Sequence, residues 1–196
     1  ALPIYETYKS GKLGFTADYA RLDVIYEYGG IYLDTDVELI KPLDTLLDNK
    51  CFFGFQTSGV VNLGQGFGAE AGNQIIYEMR EVYKNERFIK PDGTLNLIPS
   101  PSYQTKVLKL HGLNSFGEEQ IIDDLCHIYP KTVFNPCDMD TMKIDVTLST
   151  VSIHHFMQSW ATTSQKRNTK LFAVISRVFG KKLAYRIKKI HRKMKK

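Results

Sequence analysis

The sequence predicts an α/β fold, in which helices pack against a central sheet. Residues 16–28 contain no Gly or Pro, and apolar side chains recur there at helical spacing. Residues 31–38 alternate between apolar and polar side chains, as a half-buried strand does. The apolar run at residues 51–55 predicts a buried strand, and residues 73–87 predict an amphipathic helix. With 196 residues, 43% of them hydrophobic, the chain is long enough for one domain with a real core.

The chain begins with residues 1–15, which predict a short helix and a loop before the helix at residues 16–28. Gly29 and Gly30 end that helix, because glycine readily adopts the left-handed conformation that helix ends favour. The strand at residues 31–38 places one aromatic and three acidic side chains on the same face, namely Tyr32, Asp34, Asp36 and Glu38. Since carboxylates are costly to bury, this face suits the edge of a cleft in which a cation neutralises them.

Asp34, Thr35 and Asp36 form the D-x-D sequence of metal-dependent sugar transferases. Two carboxylates two residues apart, near a strand end, can hold a hard divalent cation and leave coordination positions open. Such a cation binds a diphosphate and stabilises the charge that develops on it when a glycosidic bond breaks. A D-x-D alone is equally compatible with an exposed acidic turn, so its interpretation depends on the surrounding sequence.

The run from Asp18 to Glu38, DYARLDVIYEYGGIYLDTDVE, resembles the D-x-D sugar-binding region of the family 32 glycosyltransferases of the capsular-polysaccharide type. It is also similar to the glucosylating domain of large clostridial toxins. The resemblance implies a GT-A fold, a Rossmann-like sheet flanked by helices, with Mn²⁺ or Mg²⁺ as cofactor. It implies transfer of a hexose, with retention, from a nucleoside diphosphate sugar to a glycan or lipid-linked saccharide. It also implies a preceding segment with the first nucleotide-binding strands, so we expect the chain to be truncated at its N-terminus.

The resemblance assigns roles to individual residues near the D-x-D. Asp34 and Asp36 are implied as the catalytic carboxylates and metal ligands, and Asp34 also as a donor contact. Asp18 is implied to contact the donor sugar or ribose, and Arg21 to reach sugar hydroxyls or phosphate. Tyr32 resembles the aromatic residue that lines the donor pocket. Without the resemblance, Asp18 and Arg21 are an ordinary ion pair three residues apart on a helix, and Tyr32 is a packing residue.

The middle of the chain offers weaker signals. Residues 43–47 predict a short helical segment. The glycine-rich residues 60–74 fit neither the P-loop nor the dinucleotide fingerprint, and they predict a flexible loop near the acceptor, in which Asn62 is a site candidate by resemblance. A helix is expected at residues 100–110, with Ser100 as its N-cap and a proline in the first turn. Residues 127–134 predict a strand.

A second cluster, residues 151–160 with the sequence VSIHHFMQSW, resembles the family's H-H-x-x-x-S-W element. Imidazole is a good ligand for borderline metals, and one histidine could complete the coordination that Asp36 begins. Counting back from the Ser-Trp pair favours His155 over His154, which stays as the second choice. Ser159 is implied to help hold the metal or diphosphate, and Trp160 to place its indole N–H near a phosphate oxygen. In isolation, the pair would be two structural histidines beside a buried tryptophan.

The charge of the chain is divided between an acidic body and a basic tail. Residues 1–165 hold all 21 acidic residues and 13 of the 26 basic ones, a net charge of −8, and residues 166–196 hold the other 13 basic residues. The catalytic domain is therefore assigned to residues 1–165. Residues 166–196 predict a basic amphipathic helix, which suits an anionic membrane surface. No nucleic-acid partner is expected, because aromatic residues for base stacking are not interleaved with the charges.

The predicted location is the cytoplasm, peripheral to the inner face of a bacterial plasma membrane. Cys51, Cys126 and Cys137 are odd in number and lack C-x-x-C spacing, which favours a reducing compartment over a disulfide framework. No apolar run is long enough to span a membrane.

Two alternative functions stay open from the residues alone. A haloacid-dehalogenase-type phosphatase also has a D-x-D after a strand, but its pattern expects Thr or Val where this chain has Glu38. A non-enzymatic membrane- or nucleic-acid-binding module would act through the basic tail. The sequence reveals no convincing general base or nucleophile for the transfer.

Overall fold

The computed structural model describes residues 2–157 and 162–193, which form a mixed α/β fold. The helices are α1 (Leu2–Lys9), α2 (Leu13–Tyr28), α3 (Gln74–Asn85), α4 (Ser100–Leu110), α5 (Lys131–Phe134), α6 (Thr163–Phe179) and α7 (Lys181–Lys193). The strands are β1 (Gly30–Tyr32), β2 (Val37–Leu39), β3 (Cys51–Thr57), β4 (Val60–Val61), β5 (Phe67–Ala69), β6 (Gln120–Ile122), β7 (Cys126–Tyr129), β8 (Cys137–Asp138), β9 (Lys143–Ile144) and β10 (Ser152–His154). Short 3-10 turns cover Asp44–Leu46 and Leu63–Gln65. The α/β class that the sequence predicts is confirmed.

The main sheet has the strand order β1-β5-β3-β7-β6, and β4 pairs with the end of β3. β3 lies in the middle, parallel to β7 and antiparallel to β5. Residues 51–55 are buried as predicted, because a central strand is covered on both faces and needs a continuous apolar run. The main hydrophobic core is formed by side chains from this sheet and from α2, α3 and α4, among them Leu22, Phe53, Phe67, Ile76 and Leu108.

The helix predicted at residues 16–28 is α2, which begins slightly earlier, at Leu13. Gly29 ends it with a φ of +67°, and its amide donates a hydrogen bond of 2.8 Å to the carbonyl of Ile25. A Cβ at Gly29 would also approach the backbone nitrogen of Ala71 to 2.8 Å. Glycine is therefore required here both by the backbone conformation and by the close passage of a neighbouring segment.

The prediction of one continuous strand over residues 31–38 is wrong. β1 joins the main sheet through β5, whereas β2 forms a separate two-stranded ladder with β10. Residues 33–36 between them form a turn, in which the amide of Val37 donates to the carbonyl of Asp34. The amide of Asp34 in turn donates to the carbonyl of Gly64. The D-x-D thus lies in a turn between two sheets. The alternation of apolar and polar residues in the sequence does not reveal that the strand is interrupted there.

The prediction of a flexible loop over the glycine-rich residues 60–74 is also wrong. Residues 63–69 are buried and form a 3-10 turn followed by β5, which lies between β1 and β3. At Gly68 a Cβ would approach the ring of Phe52 to 2.5 Å. Glycine serves close packing at this position and not mobility.

Two element boundaries differ from those predicted, and a proline lies at each of them. Pro99, not Ser100, is the N-cap of α4, and Ser100 is the first residue of the helix. The strand expected over residues 127–134 ends at Tyr129, because Pro130 is the N-cap of the short helix α5.

The basic tail folds as two helices and not as the one that the sequence predicts. Gly180, with a φ of +85°, separates α6 from α7. The first of these helices begins at Thr163, with Thr162 and Gln165 as a reciprocal capping box. In residues 2–157 and 162–193, no helix combines the length and apolar character that a membrane span needs.

Candidate metal centre

The D-x-D turn and the end of β10 bring together two carboxylates and one imidazole. Asp34, Asp36 and His154 each offer one ligand atom, and these atoms lie within 4.8 Å of one another. His154 Nε2 is 3.2 Å from Asp36 Oδ1. The antiparallel pairing of β10 with β2 produces this approach, because it sets His154 opposite Val37, directly after the turn. Two residues separated by more than 110 positions in sequence thus meet at one point.

The structure brings His154 to this cluster, whereas the sequence favoured His155. The two rings point in different directions because successive side chains alternate along an extended segment. His155 is exposed, and its Nε2 lies 2.9 Å from Glu38 Oε2, away from the D-x-D turn. Its backbone amide, not its ring, reaches the turn, by donating to the carbonyl of Asp36. Counting back from Ser159 and Trp160 could not reveal this, and both of those residues lie outside the described residues.

His154 is suited to ligate a cation at neutral pH. Burial lowers the pKa of its imidazole, and the nearby charge of Asp36 opposes that effect only in part. The ring is therefore neutral at pH 7, which is the form that binds metals. Its Nδ1 atom is buried and has no hydrogen-bond partner within the described part of the chain. Two carboxylates and a neutral imidazole are a donor set that fits a divalent ion such as Mn²⁺ or Mg²⁺.

Arg21 connects the candidate metal centre to helix α2. Its Nη2 donates to Asp18 Oδ1 at 2.7 Å, and its Nη1 lies 3.2 Å from Asp34 Oδ1. The side chain is 6% exposed, so both ion pairs act with little screening by solvent. The guanidinium also stacks over the ring of Tyr32, with its central carbon 4.8 Å from the ring centroid. The residues that the D-x-D resemblance singled out on α2 and β1 are therefore one contact network.

Two groups in this network keep their protons more firmly than usual. Burial raises the pKa of Tyr32 to about 12, so its phenol stays protonated and donates to Asp34 Oδ1 at 2.8 Å. Burial also raises the pKa of Asp18, and the adjacent Arg21 opposes that rise. Tyr32 and Arg21 consequently both contact Asp34 Oδ1, so they hold the carboxylate through one of its two oxygens.

Gly64 is a site residue that the sequence did not indicate. Its carbonyl accepts the backbone N–H of Asp34 at 3.2 Å, and a Cβ at this position would overlap Asp34 Oδ2. Asn62 supports this approach as the cap of the 3-10 turn, since its Oδ1 accepts from Gly64 N at 2.9 Å and its Nδ2 donates to Gln56. The only available signal was the N-x-G spacing within the glycine-rich segment.

Backbone donors also contribute to the centre and leave no sequence signature. The amide of Met157 donates to Asp36 Oδ2 at 2.8 Å. This bond fixes the second carboxylate of the D-x-D from the segment that follows β10.

The adjacent histidines provide a matched test of the metal centre. Replacing His154 by Ala is expected to weaken Mn²⁺ binding by about 10–100-fold or more, because loss of a direct ligand should cost at least as much as loss of an outer-shell partner, for which that range is typical. His155→Ala is the control, and its effect should stay within about threefold, because that ring faces Glu38. Isothermal titration with Mn²⁺ measures both. Equal effects of the two substitutions, or a larger effect of His155→Ala, would contradict the geometry.

Comparisons with known proteins find a family model and a relative that match parts of this chain. Residues 2–53 match the family model described as a glycosyltransferase sugar-binding region containing the DXD motif. This match includes α1, α2, β1 and β2, and with them the D-x-D turn and the Arg21 network. Inositol phosphoceramide mannosyltransferase 1 of Schizosaccharomyces pombe is 30% identical over 108 residues, which are 53% of this chain and 33% of the yeast protein. The chain thus spans about a third of the length of that relative. No solved structure significantly matches this chain.

Proposed function

We propose that this chain, which carries the sugar-binding region of the DXD glycosyltransferases, is part of the catalytic domain of a metal-dependent hexosyltransferase with a GT-A arrangement. The observation that carries the proposal is the meeting of Asp34, Asp36 and His154 beside the buried Arg21 network. The donor is a nucleoside diphosphate sugar, and the acceptor is a glycan or a lipid-linked saccharide. Transfer proceeds with retention at the anomeric carbon. The name of the yeast relative makes mannose the first sugar to test.

The proposed mechanism gives each residue of the centre a role. Asp34, Asp36 and His154 hold Mn²⁺ or Mg²⁺, which supplies electrostatic stabilisation for a leaving diphosphate. Arg21 and the protonated Tyr32 fix the position and orientation of the Asp34 carboxylate. Asp18, whose carboxylate is held by Arg21, orients hydroxyl groups of the donor. Such positioning matters because a displacement of about 1 Å can cost roughly 100-fold in rate.

The tail is part of the proposal as the contact with an anionic membrane surface. Helices α6 and α7 carry basic side chains and no acidic ones, and they expose several large apolar side chains. A transferase with lipid-linked acceptors works at a bilayer, so we place the protein at the cytoplasmic face of a membrane as a peripheral protein.

The direct test of the transferase proposal is a thermal-shift panel of nucleoside diphosphates with and without Mn²⁺. A ligand at about 100 times its dissociation constant stabilises the native state by about 2.7 kcal/mol, which raises the melting temperature by several degrees. We expect such a shift with one nucleotide base, only in the presence of Mn²⁺, and its reversal by EDTA. A shift that is equal with and without the metal would contradict the assigned role of the D-x-D.

A further inference from the structure

A cleft with a volume of about 910 Å³ opens between α6, α7 and the turn that follows β8. Phe172 and Ser176 line it from α6, and four lysines and Tyr185 line it from α7. These lysines are Lys181, Lys182, Lys188 and Lys189. The cleft lies outside the candidate metal centre and shares no residue with it.

The tail helices are held in place in a way that preforms the cleft. Three small buried residues, Ala173, Ser176 and Ala184, let the two helices approach closely. Arg177 donates from Nε to the carbonyl of Thr141 at 2.6 Å, and Lys181 pairs with Asp138, so the helix pair is tied to the turn after β8. A preformed cleft reduces the cost of ordering side chains when a ligand binds.

The charge in the cleft is positive and largely uncompensated. All acidic residues of the chain lie within the described ranges, and no carboxylate oxygen among them lies within 4 Å of the Nζ atom of Lys182, Lys188 or Lys189. Lys181 is neutralised by Asp138, and Asp140 is the one acidic side chain in the wall. Lys188 Nζ lies 6.0 Å from the centroid of the Phe172 ring, the outer limit of a cation–π contact. Mutual repulsion of these ammonium groups favours a bound anion.

We propose that this cleft binds the phosphate headgroup of an anionic phospholipid. The lysines supply charge for the phosphate, and Phe172 and Ala184 supply an apolar floor. A lipid is favoured as the source of the phosphate because the same helices expose large apolar side chains, among them Leu171, Val174, Val178, Phe179, Leu183, Ile187 and Ile190. The inference rests on the membrane contact of the proposed function and specifies its binding site.

The test compares two triple variants that remove the same amount of charge from the tail. K182Q/K188Q/K189Q empties the cleft of its unpaired lysines, and K166Q/R167Q/K170Q removes three charges from α6 outside the cleft. The full chain is sedimented with vesicles of phosphatidylcholine that contain phosphatidic acid. We expect the cleft variant to bind these vesicles at least about tenfold more weakly than the control variant, which loses the same amount of charge from the tail but keeps the lysines of the cleft. Far-ultraviolet circular dichroism and the melting temperature verify that both variants keep the fold.

Four results would overturn the proposal. Equal losses in the two variants would mean non-specific attraction of the whole tail to negative charge. Equal binding to vesicles of phosphatidylcholine alone, whose phosphate is balanced by the choline cation, would remove the need for a net negative headgroup in the cleft. Inorganic phosphate that binds as tightly as the vesicles would assign the cleft to a soluble anion. Tighter binding of single-stranded RNA, lost in the same cleft variant, would assign it to nucleic acid. None of these measurements uses transferase activity, so a failure of the metal centre is detected separately.

Discussion

Replacing Asp36 by Asn is expected to lower the rate of sugar transfer by about 100-fold or more and to abolish metal-dependent donor binding. The substitution keeps the shape of the side chain and removes its negative charge. The two Asp36 oxygens have separate partners, His154 Nε2 at 3.2 Å and the amide of Met157 at 2.8 Å, so this carboxylate joins the D-x-D turn to both β10 and the segment after it. Steady-state kinetics with a nucleoside diphosphate sugar and a Mn²⁺ titration measure the loss.

Glu38→Gln is the matched control for that experiment. Glu38 is two residues further along, is exposed, and pairs only with the exposed His155 in the described structure. Exposed ion pairs contribute about 0–1 kcal/mol, so this variant should keep its metal affinity and activity within about threefold. If Asp36→Asn retained Mn²⁺-dependent nucleotide binding, or if Glu38→Gln lost it equally, the assignment of the centre would be wrong.

The parts of this site that could be predicted from the sequence are those built within one short stretch. Asp18 and Arg21 share one helix face, Gly29 ends that helix, and Tyr32 and Asp34 follow within five residues. Local geometry alone brings these groups close together, because helical and extended spacing fix their directions. The structure places them in one hydrogen-bonded network, in which Asp18 and Arg21 form the ion pair that their spacing on the helix predicts.

The parts that could not be predicted depend on contacts between distant segments. Which histidine faces the D-x-D follows from the register of β10 on β2, and a shift of one residue would exchange His154 for His155. Register is fixed by hydrogen bonds between strands far apart in sequence, which the composition of one strand does not encode. The sequence therefore indicated that a histidine meets the D-x-D and favoured His155, whereas the structure places the ring of His154 there.

The glycine-rich segment shows a second limit of sequence interpretation. Glycines are typical of mobile loops, and they are also typical of places where two backbones approach closely. Only the packing partner decides between these possibilities. For Gly68 the partner is the ring of Phe52, and for Gly64 it is the carboxylate of Asp34. Both partners lie in other segments, so the buried, structured character of residues 63–69 was not visible in the sequence.

Replacing Gly64 by Ala is expected to reduce transfer by about 10–100-fold, although Gly64 bears no functional group. The added methyl would overlap Asp34 Oδ2 and lie 3.3 Å from Arg21 Nη1, so the Asp34 carboxylate must move away from its position beside Arg21. The measurement is the Mn²⁺ affinity together with kcat, and both should fall. Gly14→Ala is the control, because a Cβ at Gly14 meets nothing within 4 Å and the residue lies in α2, where alanine is favoured over glycine.

A double-mutant cycle separates displacement of Asp34 from a general loss of stability. Overpacking by one methyl typically costs about 1–3 kcal/mol, so Gly64→Ala should lower the melting temperature of the wild-type background. In an Asp34→Ala background the overlapping oxygen is gone, and the same substitution should cost clearly less. The difference between the two costs is the coupling between Gly64 and Asp34, and coupled contacts typically show about 0.5–3 kcal/mol. Additive costs would mean that the 3-10 turn is needed for folding but does not set the position of the carboxylate.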